Sequence, residues 1–214
     1  MQRTIRWQVR TLIGLILSLI CGSVIAQEWQ LQKSQEPVQV FTRVKADPQR
    51  NLDYQEILAT TIVSAPPHAL INLLEETAKA PEWIDNCIQV TLLSKKTPHI
   101  NIVQSTFAAP WPLKNRDMVT LSTVHQEGEK IIIEITDAGD IYPQQQNTVR
   151  MQHVSGQWTI SPKANGLTEI IYQGSGDPAG NIPAWLANKV LIMSTFNTFI
   201  KLTQRLNEDA RAKP

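Results

Sequence analysis

Residues 183–208 read PAWLANKVLIMSTFNTFIKLTQRLNE, the longest uninterrupted helical pattern in the chain. Pro183 suits a first helical position, because the N–H that proline lacks would have no partner there. Apolar residues fall at helical spacing on several sides of the segment: Leu186, Val190, Met193 and Ile200, then Trp185, Ile192, Phe196 and Phe199, and further round Leu191, Leu202 and Leu206. This arc is wider than the stripe of about 100° that packs a helix on one sheet. The sequence therefore predicts a long helix covered on more than one side, by protein alone, which is the commoner case, or by an apolar ligand.

The start of the chain has the pattern of a secretory signal. Arg3, Arg6 and Arg10 precede an apolar run at residues 12–20. Residues 24–26, Val-Ile-Ala, are compatible with a signal-peptidase cleavage site after Ala26. The run is shorter than the ~20 residues of a membrane-spanning helix. We predict a cleaved signal peptide over residues 1–26 and a single domain over residues 27–214.

Composition narrows the function of the mature chain. Cleavage removes three of the 20 basic residues and none of the 19 acidic ones, so no basic excess remains to predict nucleic-acid binding. Cys87 is the cysteine left after cleavage, so the exported chain must fold without an internal disulfide. We expect Cys87 to be a small core residue.

The body of the chain is mostly strand-like. Two β-branched segments, at residues 38–44 and 57–64, precede an amphipathic helix predicted at residues 68–80, between Pro67 and Pro81. Trp29 is expected to open a short N-terminal helix. Seven further strands are predicted at residues 89–95, 100–107, 117–125, 130–136, 148–154, 157–161 and 168–175. Links of hairpin length between them, including a turn at Ser155-Gly156, indicate an antiparallel meander. The predicted fold class is α+β, with a curved sheet around the long helix.

Residues 107–119, FAAPWPLKNRDMV, are the most specific stretch of the body. They place Arg116 at the start of an otherwise apolar strand. Further features follow the same order along the chain: Glu82-Trp83, Val149-Arg150, Gly156-Gln157-Trp158 before Ser161-Pro162, and residues 176–186, GDPAGNIPAWL. Together they resemble the START family, lipid-transfer domains related to the steroidogenic acute regulatory protein, over about residues 29–206.

The resemblance implies a helix-grip fold, in which a curved antiparallel sheet encloses a tunnel for one lipid or sterol molecule. It also implies that Arg116 faces the tunnel, where the family often pairs this arginine with a glutamate. Gln89 stands at the matching position, so we expect Asp117, a water molecule or a ligand headgroup to partner Arg116, with Gln89 or the backbone as the purely structural alternative. Strand alternation adds Met118, Thr120, Ser122 and Val124 to the same wall.

The remaining candidate site residues follow from this layout. Expected ligand contacts are Arg116, Met118, Thr120, Trp111, Tyr172, Met193 and Phe196, and the expected gate comprises Gly176, Asp177, Gly180 and Trp185. The long helix is hypothesised to be a lid hinged at residues 176–181. The glycines of that loop lack the spacing of a dinucleotide-binding loop, and Pro178 interrupts them.

Catalytic and metal chemistry find little support in the sequence. His68, His99, His125 and His153 occur singly, without the paired spacing of metal ligands, and no nucleophile elbow is present. We expect no metal, no cofactor and no catalytic residue.

The predicted protein is an exported, monomeric, non-enzymatic lipid binder or shuttle, periplasmic in a Gram-negative source. It would touch membranes transiently through Trp111 and Trp185. Two alternatives stay open: a helix-grip enzyme of the cyclase or hydratase type acting on a polyketide-like substrate, and a sensor of a hydrophobic signal with a protein partner.

The signal peptide makes a direct prediction. If it is cleaved, intact-mass analysis of the exported protein will place the mature N-terminus at or near Gln27. A soluble cytoplasmic species that retains residues 1–26 would contradict it.

Overall fold

The computed structural model describes residues 28–47 and 52–212; the predicted signal peptide therefore lies outside the described residues. The strands are β1 (Gln30–Gln35), β2 (Val38–Asp47), β3 (Leu52–Val63), β4 (Cys87–Thr97), β5 (Ile100–Phe107), β6 (Asn115–Glu127), β7 (Lys130–Asp137), β8 (Thr148–Arg150), β9 (Gln152–Pro162) and β10 (Thr168–Asp177). The helices are α1 (His68–Glu75), α2 (Ala80–Trp83) and α3 (Ala184–Ala212).

The strands form one large sheet in the order β1-β2-β3-β10-β9-β7-β6-β5-β4. Neighbours along this path are antiparallel, and the short β8 pairs with β6 in parallel, off the path. The predicted fold class is confirmed: a curved antiparallel sheet holds one long C-terminal helix. None of the helices in the described ranges is long and apolar enough to cross a bilayer.

The predicted turn at Ser155-Gly156 is wrong, because β9 runs straight through it. Gly156 pairs with Gly174 of β10, and the ring of Tyr172 lies against both glycines. A Cβ atom at Gly156 would stand 2.9 Å from the Tyr172 hydroxyl oxygen, and one at Gly174 only 2.5 Å away. Both glycines therefore make room for an aromatic ring inside a strand, a use of glycine that resembles a turn signal in sequence.

The predictions for the N-terminal part and the first helix also need correction. Residues 30–35 form strand β1 rather than a helix, and the Arg43 guanidinium lies 4.3 Å from the centre of the Trp29 ring, a cation–π contact. Helix α1 ends at Glu75 instead of residue 80 because Glu76 leaves the helical conformation, with ψ of 59°. Pro81 then lies in the first turn of α2, where a proline is tolerated.

Helix α3 begins one residue later than predicted and runs four residues further, to Ala212. All of its buried residues lie after the third turn: Phe196, Phe199, Leu202, Thr203 and Leu206. The four apolar ones join one core with Val38 and Val40 of β2 and with Ala59 of β3. Each large apolar side chain buried in this way contributes roughly 1.5–3 kcal/mol. The part of α3 from Phe196 onward, here called its anchored half, is thus fixed in the core. The first three turns carry no fully buried side chain, although Leu191 and Ile192 pack partly buried against the core.

A polar clasp holds the middle of α3. The Asp85 backbone N–H donates to the Thr198 hydroxyl at 2.9 Å, and the Ser194 hydroxyl donates to the Asp85 carbonyl at 3.3 Å. The Lys201 ammonium lies 3.1 Å from the Asp85 carboxylate. These contacts mark the point on α3 where its anchored half begins.

Asp117 and Arg150 join β6 to the link between β7 and β9. Two Arg150 nitrogens lie 2.7 and 2.9 Å from the same oxygen of the fully buried Asp117 carboxylate. Thr148 and Gln104 donate to the carboxylate at 2.8 and 2.9 Å, and Arg150 also donates to the Gly139 carbonyl at 2.6 Å. Burial alone would raise the pKa of Asp117, but these hydrogen bonds and the Arg150 charge outweigh it, so the pKa lies below its ordinary value.

Asp117→Asn should lower the free energy of unfolding at pH 7 by about 3–5 kcal/mol, because it leaves Arg150 buried without its counter-charge. Since the folded pKa of Asp117 is depressed, the wild-type advantage is complete above the unfolded pKa near 3.9 and disappears as pH falls through the folded pKa. Urea unfolding of both proteins between pH 7 and pH 3 measures this difference in the free energy of unfolding.

Glu75→Gln is the matched control, because it breaks a half-exposed ion pair with Lys95 at 3.3 Å. An exposed pair contributes at most about 1 kcal/mol. Equal losses in the two variants, or a pH-independent difference for Asp117→Asn, would contradict the structural role given to Asp117.

Candidate functional site

A large internal cavity lies between the concave face of the sheet and the helices α1 and α3, with a volume of about 1560 Å³. Its wall is mainly apolar and includes Ile71 and Leu74 of α1, Val103 and Phe107 of β5, Ile131, Ile133 and Ile135 of β7, and Leu191 and Phe199 of α3. Exposed residues, among them Glu75, Lys95 and His99, line the end near the β4–β5 turn. The opposite end lies under the last residues of β10 and under residues 178–182, the gate loop.

Strand β6 forms one continuous side of the cavity. Its wall residues alternate along the strand as expected: Arg116, Met118, Thr120, Ser122 and Val124. At about 3.3 Å per residue, this row with Gln126 measures roughly 33 Å. The wall passes from a buried cation at the gate end through mixed residues to the exposed end, which suits an amphiphilic occupant.

Arg116 sits at the gate end and is 7% exposed. Its terminal nitrogens donate to the Lys114 carbonyl and, at 3.3 Å, to the Ala179 carbonyl; its Nε donates to the Pro178 carbonyl at 3.4 Å. Burial lowers the pKa of the guanidinium from its ordinary value. Backbone carbonyls, the structural alternative named above, are therefore the partners of Arg116.

The other expected partners of Arg116 point elsewhere. Asp117 projects from the opposite face of β6 and pairs with Arg150. Gln89 is exposed on β4 and lies in a shallow outer groove with Ile88 and Leu92. Among the residues that the structure describes, no carboxylate lies within 4.0 Å of the Arg116 guanidinium.

Tyr172 lies on the cavity wall at the centre of the sheet. Its ring packs against Trp158 at a centroid distance of 4.7 Å, and Trp158 stacks on Phe199 of α3 at 5.7 Å. Burial raises the pKa of Tyr172 to about 12. The phenol therefore stays neutral and offers a hydrogen bond to whatever fills the cavity.

Three of the expected ligand contacts lie off the cavity wall. Trp111 is 93% exposed on the loop between β5 and β6. Phe196 is buried in the core under β1 and β2, where the Lys33 ammonium lies 4.4 Å from its ring centre. Met193 is partly exposed, and its sulfur lies 3.5 Å from the Lys33 ammonium. Helical spacing placed Met193 and Phe196 close together on α3, and both lie near Lys33. The face of α3 that lines the cavity is a different one, centred on Leu191, Ser194 and Thr198.

The gate residues divide in a similar way. Gly176, Asp177 and Gly180 line the cavity, whereas Trp185 is 67% exposed and points away from it. Within the described ranges, no cluster of His, Cys, Asp and Glu has the geometry to hold a metal ion.

Comparisons with known proteins agree with this architecture. An uncharacterised protein of Pseudomonas aeruginosa is 27% identical over 180 residues, covering 84% of this chain and 87% of its own length. The crystal structure of a STAR-related lipid transfer protein fragment from Xanthomonas axonopodis is 28% identical and superposes with a TM-score of 0.73, covering 83% of this chain and 98% of that one. Human StAR-related lipid transfer protein 5 shares the fold at 16% identity, with a TM-score of 0.72 over 84% of this chain and 86% of its own.

The model of the START domain family matches residues 23–211, which include every strand and nearly all of α3. Members of that family generally bind lipids or other hydrophobic ligands. The chain belongs to the START domain family.

Proposed function

We propose that this protein is an exported carrier, which binds one amphiphilic lipid in its cavity and moves it between membranes or partners without altering it. The observation that carries the proposal is the cavity of about 1560 Å³, apolar along most of its wall and with one buried cation at the gate end. A cavity with one polar end matches a molecule with one polar end.

The size of the cavity supports a lipid-sized occupant. At about 1560 Å³ it exceeds the roughly 300–1,000 Å³ of a typical small-molecule pocket. The wall of roughly 33 Å exceeds the ~15 Å of one bilayer leaflet, so it accommodates an extended acyl chain with its headgroup.

The ionisable groups of the wall favour binding over catalysis. Arg116 stays cationic, and Tyr172, with a pKa of about 12, stays neutral, so neither exchanges protons readily near pH 7. His99 and His153 are exposed to solvent, and His125 contacts Glu127 at 3.3 Å. An aromatase/cyclase of a Streptomyces species has a related fold at 12% identity and a TM-score of 0.51, a likeness of fold alone.

Export and membrane contact complete the proposal. The N-terminal sequence supports secretion, and the periplasm is the expected compartment in a Gram-negative source. Three large apolar side chains are exposed near the gate end: Trp111, Trp185 and Ile141, the last 66% exposed on the link after β7. The strand order brings them to the same end of the sheet. Exposed tryptophans around a cavity mouth suit a membrane interface. The carrier acts as a monomer.

The first three turns of α3 and the gate loop form the movable part of the carrier. Strand separation would break rows of backbone hydrogen bonds, whereas this half of α3 is held by side-chain contacts and ends at the Asp85 clasp. The lid hypothesised from the sequence is therefore narrowed to residues 176–195.

Filling the cavity should weaken lipid binding without unfolding the protein. Ser105 and Thr120 line the middle of the wall on neighbouring strands. Ser105→Trp with Thr120→Trp should lower the lipid recovered from natively purified protein by about tenfold, about 1.4 kcal/mol of affinity. Mass spectrometry of the organic extract measures this. The matched control is Gln32→Trp with Ser34→Trp on the exposed strand β1, which should leave the recovered lipid unchanged. A wild-type protein that neither carries lipid nor takes it up from vesicles would contradict the proposal.

A crosslink should distinguish the movable half of α3 from the anchored half. Lys33→Cys with Met193→Cys, in a Cys87→Ser background, allows a short reagent with two thiol-reactive maleimide groups to tie α3 to β1. We expect the crosslinked protein to exchange fluorescent lipid between vesicles at least about tenfold more slowly. The crosslink keeps the first turns of α3 from moving away from the sheet, and this movement is the proposed way of opening the cavity.

The matched control joins the anchored half. Thr61 and Thr203 have hydroxyl oxygens 2.8 Å apart. Thr61→Cys with Thr203→Cys, oxidised in the same background, should leave exchange close to its original rate. Unimpaired exchange in the Lys33–Met193 crosslinked protein would place the entrance elsewhere, for example at the loop carrying Trp111.

A further inference from the structure

The Arg116 guanidinium is a buried cation whose hydrogen-bond partners, within residues 28–47 and 52–212, are all neutral. It donates three hydrogen bonds, to the carbonyls of Lys114, Pro178 and Ala179. A guanidinium has five N–H donors, so one N–H on each terminal nitrogen remains unused. Because the side chain is 7% exposed and lines the cavity, water supplies little compensation for its charge. A buried cation in this state strongly attracts an anion.

Two of the three acceptors belong to the gate loop. Ala179 and Gly180 both adopt positive φ angles, 52° and 72°, which are unfavourable for alanine. Such a conformation persists only where surrounding contacts hold it. Two contacts do so here: the Asp177 carboxylate accepts from the Ala179 N–H at 2.8 Å, and Arg116 donates to the carbonyls of Pro178 and Ala179.

The Arg116 contacts with the gate loop are the weaker kind. At 3.3 and 3.4 Å they are longer than ordinary N–H···O bonds, and their acceptors carry no charge. A carboxylate or phosphate accepts from the same guanidinium in shorter, charge-assisted bonds, often two at once. An anionic oxygen in the cavity would therefore compete with the loop carbonyls for the same donors.

We propose that Arg116 is a latch: it holds the gate loop closed over the cavity, and the anionic headgroup of a bound amphiphile draws it away and frees the loop. This inference rests on the proposed carrier function and adds the class of ligand, a lipid or fatty acid with a phosphate or carboxylate group. Loading and opening are then linked through one side chain, and neutral lipids do not release the loop.

Hydrogen exchange of the Ala179 and Ile182 amides, which donate to the Asp177 carboxylate and the Gly180 carbonyl, reports the latch directly. Dodecyl phosphate and dodecanoate, added to delipidated protein, should speed their exchange by about tenfold, because hydrogen bonds from a charged donor are lost. Dodecanol should bind without this effect. Inorganic phosphate at the same concentration should have no effect; release by phosphate alone would show that a soluble anion is the ligand and would overturn the lipid class.

Variants separate the latch from the charge. Arg116→Met should show fast gate-loop exchange without any probe and lose its preference for dodecyl phosphate over dodecanol. Arg116→Lys keeps the charge but has no guanidinium fork, so it should show fast exchange and retain most of that preference. Lys189→Met, which removes an exposed charge from the first turns of α3, should behave as wild type. If Arg116→Met fails to fold, the lysine variant alone decides: slow loop exchange in it would overturn the latch.

The two proposals fail differently. Native mass spectrometry counts the bound probe, so a protein that binds none of the three dodecyl compounds contradicts the carrier function itself. A protein that binds dodecyl phosphate and dodecanol equally well, or whose gate-loop exchange ignores the bound headgroup, remains a carrier but has no Arg116 latch.

Discussion

The packing of Phe199, Leu202 and Leu206 against strands β2 and β3 determines the rest of the architecture. A helix of 29 residues anchored by its C-terminal half must extend its other half along the sheet, which curls towards it. The first turns of α3 reach the gate end without buried side chains of their own. Space remains between them and the sheet, and that space is the cavity. One helix therefore serves as core at one end and as a cover at the other.

Adjacent residues of β6 have opposite roles because successive side chains of a strand point to opposite faces. Asp117 turns outward, meets Arg150 and holds the link that carries β8, so its charge is neutralised within the protein. Arg116 turns inward, and its hydrogen-bond partners among the described residues are carbonyl groups. The same dipeptide thus gives the fold an ion pair and gives the cavity a cation held by neutral acceptors.

Local pattern predicted much of this fold, and its failures have physical causes. The limits of β5, the start of β7 and, within one residue, the start of α3 followed from alternation and from the uninterrupted run after Pro183. The turn placed at Gly156 failed because that glycine accommodates the Tyr172 ring across the strand pair, a long-range contact without a local signal. Strand β1, QLQKSQ, has little apolar alternation and forms because it pairs with β2. Met193 and Phe196 were expected in the cavity because periodicity shows which residues share a side of α3, while the neighbours of each side depend on how the helix docks.

The cavity wall shows why the site was harder to predict than the fold. An apolar residue that faces a ligand and one that faces the core obey the same periodicity, so Leu191 and Phe196 look alike in sequence although only Leu191 lines the cavity. Polar residues discriminate better. Ser105, Thr120 and Ser122 at inward positions would weaken a close-packed core, and Arg116 would destabilise one. Their alternation with buried strand residues indicates a surface that faces something other than protein. The cation at one end of that surface marks it as polar at that end and apolar along the rest.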